Sequence, residues 1–119
     1  MKNDEFQVGE IIDEIDAIDE FLEREGCRNL NSFLSNDMLK KAVMMSIINI
    51  GELTKYLSKP FVFKNSHINF DMFREVRNVA AHKYGTINFV LIWNIIKKTL
   101  PQYRQQLQQA IRPKNRYNY

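Results

Sequence analysis

Phe6-Gln7-Val8-Gly9-Glu10-Ile11-Ile12-Asp13-Glu14-Ile15-Asp16-Ala17-Ile18-Asp19-Glu20-Phe21-Leu22 is the stretch that decides the fold class. Its apolar residues Val8, Ile11, Ile12, Ile15, Ile18, Phe21 and Leu22 recur every three or four positions, with carboxylates between them. At 3.6 residues per turn that spacing gathers one apolar stripe on a helix. A half-buried strand would need strict alternation, which is absent. The stretch reads as one long amphipathic helix, and Gly26 is its stop, because glycine takes the left-handed backbone that closes many helices.

Working outward, the helical period continues. Arg28 to Asn31 reads as a connection. A second helix begins near Asn31-Ser32 or near Asn36-Asp37, both able to cap a first turn, and runs through Met38, Leu39, Val43, Met44, Ile47 and Ile50 toward Leu57. Its middle, residues 42–50, is apolar nearly all round, which predicts burial on more than one side, in the core and, in an oligomer, at a subunit interface. Ser58-Lys59-Pro60 ends it, since proline disfavours helical backbone in the residue before it. Residues 61–70 read as a loop with three phenylalanines, Phe61, Phe63 and Phe70, folding back over the core. Asn69 or Asp71 starts a short helix with Met72, Phe73, Val76, Val79 and Ala80, and Gly85 is its stop. A final long helix runs from Thr86 or Asn88 through Phe89, Ile92, Trp93, Ile96 and Leu100 toward Leu107 and Ile111, with a kink or break at Pro101. The expectation is a single all-α domain over residues 1–111, an up-and-down bundle of four or five helices, followed by a basic, flexible tail over residues 112–119.

With 119 residues, 45% of them hydrophobic and 26% charged, the chain has the make-up of one ordinary globular domain able to build its own core. No apolar run approaches the ~20 residues of a membrane span, and the acidic start Met1-Lys2-Asn3-Asp4-Glu5 lacks signal-peptide character, so a cytoplasmic protein is expected. Cys27 is the single cysteine, which fits a reducing compartment. His67, His82 and Cys27 are far apart, without metal-ligand spacing, and no metal or cofactor is expected. Charge is unevenly distributed. Residues 1–30 hold ten carboxylates against Lys2, Arg24 and Arg28, whereas no acidic side chain follows Glu75 and eight basic ones do. Two readings stand: the acidic helix packs beside the basic one, or the basic half faces a polyanion. On the second, Lys83, Lys97, Lys98 and Arg104 are candidate RNA contacts.

Inside that basic half, Arg77-Asn78-Val79-Ala80-Ala81-His82-Lys83-Tyr84 places a permanent cation, the side chain that titrates near neutral pH, and a phenol within about two helical turns. RNA carries its own nucleophile, the 2′-OH, so cleavage needs a group to take that proton and a cation for the charge building on the phosphorus oxygens. His82 and Arg77 fill those roles. On a helix Asn78 and His82 share a face, as do Arg77 and Tyr84, but Arg77 and His82 stand roughly 140° apart. Either the helix ends near His82 or a second chain completes the site. The plainer reading is a helix-end cap and a surface pair.

The segment resembles the R-x4-H-x-Y signature of HepT-like proteins of the HEPN superfamily, including the Arg77-Asn78 pair and the alanine before His82. Ile50-Gly51-Glu52-Leu53-Thr54-Lys55 resembles that family's Gly-Glu helix segment, and Phe73-Arg74-Glu75, residues 87–93 and Leu100-Pro101 fall where the family has similar residues. The likeness spans about residues 7–111. It implies a HEPN-type helical homodimer that acts as a metal-independent endoribonuclease, the toxin of a type II toxin-antitoxin pair, with its cleft at the dimer interface. It further implies a minimal nucleotidyltransferase antitoxin that transfers AMP from ATP onto the tyrosine. By this carry-over Arg77 and His82 are catalytic, Asn78 supports them, Tyr84 is the modified residue, and RNA, whether tRNA or mRNA, is the substrate. The rival reading is a non-catalytic HEPN subunit that binds a nucleotidyltransferase. Glu52 is either a partner for a basic motif residue or half of a surface pair with Lys55. Trp93 reads as core rather than as a base-stacking platform.

Overall fold

The apolar stripe of residues 8–22 lies against the core in a computed structural model that describes residues 2–112. Helix α1 (Lys2–Arg24) turns Val8, Ile11, Ile15, Ile18 and Leu22 inward and leaves Asp13, Asp16 and Glu20 exposed. Gly26 has φ 62°, the left-handed backbone its position called for. Two wrap-back bonds, Gly26 N–H to Glu23 O at 3.0 Å and Cys27 N–H to Leu22 O at 2.9 Å, take up carbonyls of the last turn.

A short helix α2 (Leu30–Leu34) replaces the expected connection, because the Asn29 side chain accepts from the Ser32 N–H at 2.9 Å and Phe33 is fully buried beneath it. Helix α3 (Asp37–Leu53) starts at the second of the two expected sites, with Asn36 Oδ1 accepting from the Leu39 N–H at 2.9 Å. It packs against both α1 and α5, which makes it the central helix. Val43, Met44, Ile47 and Ile50 are buried, while Met45 stays 59% exposed, so one side of the apolar middle is open. A 3-10 turn, Thr54–Tyr56, completes it.

The loop reading of residues 61–70 needs correction. Helix α4 (Lys59–Lys64) forms there, with Pro60 in its first turn, where a missing N–H costs nothing. Ser58 caps it, and Asp4 holds Ser58: the Asp4 carboxylate, 2% exposed, accepts from the Ser58 N–H at 2.8 Å and from its hydroxyl at 2.7 Å. The Ser58 Oγ in turn accepts from the Phe61 N–H at 3.2 Å.

Helix α5 (Asp71–Lys83) follows, its first turn capped by Asn69 Oδ1 on the Met72 N–H at 3.1 Å. Gly85 does not stop it by a left-handed turn, since Gly26 is the positive-φ residue among those described. Instead Lys83 leaves the helical region (φ −145°, ψ 52°), a 3-10 turn Tyr84–Thr86 follows, and the Thr86 hydroxyl donates to the Lys83 carbonyl at 2.7 Å. Asn88 caps α6 (Phe89–Asn94). Residues 89–111 stay helical past Pro101: a π-helical stretch, Ile95–Thr99, joins α6 to α7 (Leu100–Ile111), with the Leu100 N–H on the Ile95 carbonyl. Proline cannot donate to the carbonyl four residues back, and the widened turn just before it absorbs that mismatch.

The principal helices α1, α3, α5 and α6–α7 form an all-α bundle, with no strand among the described residues. Ile92, Ile96, Leu100, Tyr103 and Leu107 close the core from the C-terminal side. No described helix is long and apolar enough to cross a membrane. The tail reading for residues 113–119 lies outside the described residues.

Candidate functional site

Helix α5 is amphipathic in a way that sorts its residues. Phe73 is fully buried, packing 4.8 Å from the Tyr103 ring, and Ala80 is buried two turns later, while Asn78, Val79, Ala81, His82 and Lys83 are exposed. The crossing with α3 is close because of Gly51. A Cβ there would lie 2.5 Å from the Phe73 carbonyl oxygen, a clash with backbone, and 3.0 Å from the Arg77 Cβ, a tight contact. Glycine therefore admits α5, and its neighbour Glu52 comes to face Arg77.

Arg77 and Glu52 form an ion pair, Nε to Oε1 at 2.8 Å, with side chains 31% and 35% exposed. Arg77 Nη1 also donates to Asn78 Oδ1 at 3.1 Å. Lys55 donates to both Glu52 oxygens, at 3.0 and 3.2 Å. Both readings of Glu52 thus hold together: it is the i,i+3 partner of Lys55 and the partner of a motif arginine. The Lys55 hydrogen bond, aided by the charges of Arg77 and Lys55, holds the Glu52 carboxyl below the ordinary carboxylate range. Two cations around one anion leave the cluster net positive, and Arg77 Nη2 has no partner among the described residues. A guanidinium so placed can take a phosphate oxygen.

His82 lies in the last turn of α5, still inside the helix, so it shares a face with Asn78 and diverges from Arg77 by roughly 140°. The helix does end close to His82, at Lys83, but one residue too late to bring His82 round to the Arg77 face. Asn78 joins the two directions, accepting from Arg77 while facing the same way as His82. Tyr84 departs from expectation. The non-helical backbone of Lys83 takes it off the face it would share with Arg77, and its ring, 37% exposed, packs edge-on to Phe89 at 6.1 Å. Lys40 Nζ lies 5.0 Å from the centre of that same Phe89 ring.

The candidate RNA contacts divide. Lys83 and Lys98 are exposed. Arg104 is engaged by Asp16 of α1 through two hydrogen bonds, at 2.7 and 3.0 Å, which raise its pKa. Lys97 lies 5.2 Å from the Trp93 ring and lines an open groove of about 520 Å³ together with Asp19, Glu23, Cys27 and Arg28. Arg104 and Lys97 thus belong to the seam with the acidic helix, the plainer of the two charge readings. Trp93 packs on Phe33 at 5.3 Å, as a core residue. Burial pushes the Cys27 thiol up, away from reactivity. Among the described residues no three His, Cys, Asp or Glu side chains gather as a metal site.

Sequence reasoning named Lys55 as one of two partners for Glu52 but gave Lys40 no part and Gly51 no physical role; nothing local signalled the close helix crossing.

Comparison with known proteins bears on what this arrangement does. The family described as Ribonuclease HepT-like matches residues 11–110. "Putative RNase MJ1380" of Methanocaldococcus jannaschii is 30% identical over 78 residues, 66% of this chain and 72% of that protein. "Putative RNase TTE0752" of Caldanaerobacter subterraneus is 30% identical over 93 residues, 77% of this chain and 83% of that protein. A two-part protein of M. jannaschii, "Gamma-glutamylcyclotransferase and putative RNase MJ0434", is 27% identical over 106 residues, covering 89% of this chain but 46% of its own length. No solved structure matches.

Proposed function

This chain belongs to the HepT-like ribonuclease family, and from that premise we propose that it is a metal-independent endoribonuclease that works as a homodimer, the toxin of a type II toxin-antitoxin pair. The observation that carries the reading is the Arg77 guanidinium, tethered at Glu52 and bonded to Asn78, about 1.4 helical turns before an exposed His82. In the proposed reaction His82 takes the 2′-OH proton, the 2′-oxygen attacks phosphorus, and Arg77 balances the charge on the non-bridging oxygens. The 5′-oxygen leaves with a proton supplied by the partner subunit's His82, giving a 2′,3′-cyclic phosphate and a 5′-hydroxyl. A two-fold axis supplies that second histidine without further sequence. The half-open apolar side of α3 around Met45, with exposed Val79 on α5, is the surface we assign to the dimer.

Regulation is by a nucleotidyltransferase antitoxin. The Tyr84 hydroxyl attacks the α-phosphorus of ATP, pyrophosphate leaves, and Tyr84 carries AMP. Because Tyr84 turns off the Arg77 face toward Phe89, the added nucleotide obstructs the His82 end of the cleft rather than sitting on Arg77 itself.

The test is RNA cleavage without metal, by wild-type, Arg77→Ala and His82→Ala chains and by a mixture of the two variants. Each variant alone is inactive. The mixture stays inactive as well, because the proposed reaction draws on the His82 of both subunits and a mixed dimer carries only one; a mixture that regains activity would remove the partner's His82 from the mechanism. A wild type that cleaves no RNA ends the nuclease reading. Intact mass after incubation with the nucleotidyltransferase and ATP rises by one AMP, and Tyr84→Phe does not take it up.

A further inference from the structure

Glu52 lies outside the R-x4-H-x-Y segment, on another helix, yet it is the carboxylate nearest to Arg77, at 2.8 Å. Three observations converge on it. Gly51 brings the two helices so close that a Cβ there would lie 2.5 Å from the Phe73 carbonyl oxygen and 3.0 Å from the Arg77 Cβ, which sets residue 52 beside Arg77. Lys55 holds both Glu52 oxygens, which fixes the carboxylate before Arg77 reaches it. Asn78 then accepts from Nη1, so the guanidinium is held at two points, and Nη2 has no hydrogen-bond partner among the described residues. We infer that Glu52 is a positioning residue for the reaction proposed above, aiming the Arg77 guanidinium at the phosphate without touching substrate. The inference rests on the nuclease reading.

The chemistry gives this role a particular signature. An unheld arginine still binds RNA but samples many rotamers, and misplacement by about 1 Å can cost ~100-fold in rate. A carboxylate beside Arg77 also repels phosphate, so its removal strengthens ground-state binding while it weakens the aligned transition state. Loss of Glu52 therefore moves the two kinetic constants together, kcat downward and KM downward or unchanged. Loss of folded protein instead lowers apparent kcat at unchanged KM and shows in thermal unfolding, which the positioning role leaves near wild type.

The experiment measures kcat and KM for a short RNA with the full-length dimer bearing Glu52→Ala, Glu52→Gln, Glu52→Asp, and Glu20→Ala as a surface ion-pair control, alongside thermal unfolding. The expected result is a fall in kcat of ~10- to 100-fold for Ala and Gln without a rise in KM, with partial recovery in Asp because the negative charge is kept. Glu20→Ala, which breaks an exposed pair with Arg24, stays at wild-type rates. A Glu52→Ala dimer that keeps its wild-type kcat overturns the inference and leaves the nuclease reading intact, and so does a variant whose KM rises as kcat falls. A wild type that cleaves no RNA overturns both. Should Glu52→Ala not fold, Glu52→Gln alone decides, as it keeps size and hydrogen-bonding capacity while removing the charge.

Discussion

Two arginine–carboxylate pairs in this molecule look alike by distance and exposure and differ in what they leave free. Arg104 meets Asp16 with Nε at 2.7 Å and Nη2 at 3.0 Å, both true hydrogen bonds, in a parallel fork at the seam of α1 and α7. Arg77 meets Glu52 with Nε at 2.8 Å, and Glu52 is at the same time hydrogen-bonded by Lys55. Their arginine side chains are 34% and 31% exposed. The first pair uses up the donor edge that could bind an anion; the second tethers the guanidinium at Nε, and Nη2 has no hydrogen-bond partner among the described residues. Position on the bundle explains the contrast. Asp16 belongs to an acidic helix that meets a basic one along its length, whereas Glu52 is held beside Arg77 by a glycine crossing.

Exchanging arginine for lysine breaks the comparison most sharply. Arg77→Lys keeps the charge and loses the fork, and the cleavage rate is expected to fall on the order of 100-fold with unfolding stability unchanged. Gly51→Ala comes next. The added Cβ meets backbone, the Phe73 carbonyl, which cannot rotate away, so α5 must shift at a cost of about 1–3 kcal/mol, read by urea unfolding, with cleavage lost in parallel. Asp16→Ala has the smallest effect on stability. It removes a solvent-screened pair, shifts unfolding by less than about 1 kcal/mol and leaves cleavage within about twofold of wild type.

The Glu52 carboxyl sharpens the comparison by pH. Its folded-state pKa is depressed, so the stabilisation it contributes is present above the unfolded value of 4.5 and is lost as pH falls through the lower folded value. Carboxyl titration followed by NMR should place its midpoint below 4.5, and Lys55→Met should move that midpoint up, since the Lys55 hydrogen bond is the first cause of the shift. A midpoint unmoved by the substitution would assign the shift to Arg77 instead.

What could be read from the chain is what local chemistry governs. The stripe from Val8 to Leu22 made α1, Gly26 closed it, and Asn36 and Asn88 started the later helices, because periodicity and caps act within a few residues. The candidate segment was legible in the same way, as residue types in a spacing, and so was the five-residue offset that separates Arg77 from His82. Two local signals carried half of the outcome. Ser58-Lys59-Pro60 follows the end of α3 and its 3-10 turn, as an ending should, but also starts α4, and Gly85 lies in the turn after α5 while the backbone of Lys83 makes the break.

By itself, then, the sequence determined an all-α chain, the inward face of its long helices, and a basic half that carries an Arg-Asn, His and Tyr segment. Tertiary structure alone decided the rest: that Asp4 reaches Ser58 across 54 positions to build α4, that Asp16 reaches Arg104 across 88, and that Glu52 meets Arg77 because Gly51 admits α5. A helix and its caps are written in neighbours a turn apart, but which carboxylate meets which cation depends on how whole helices cross, and that follows from the packing of the full core.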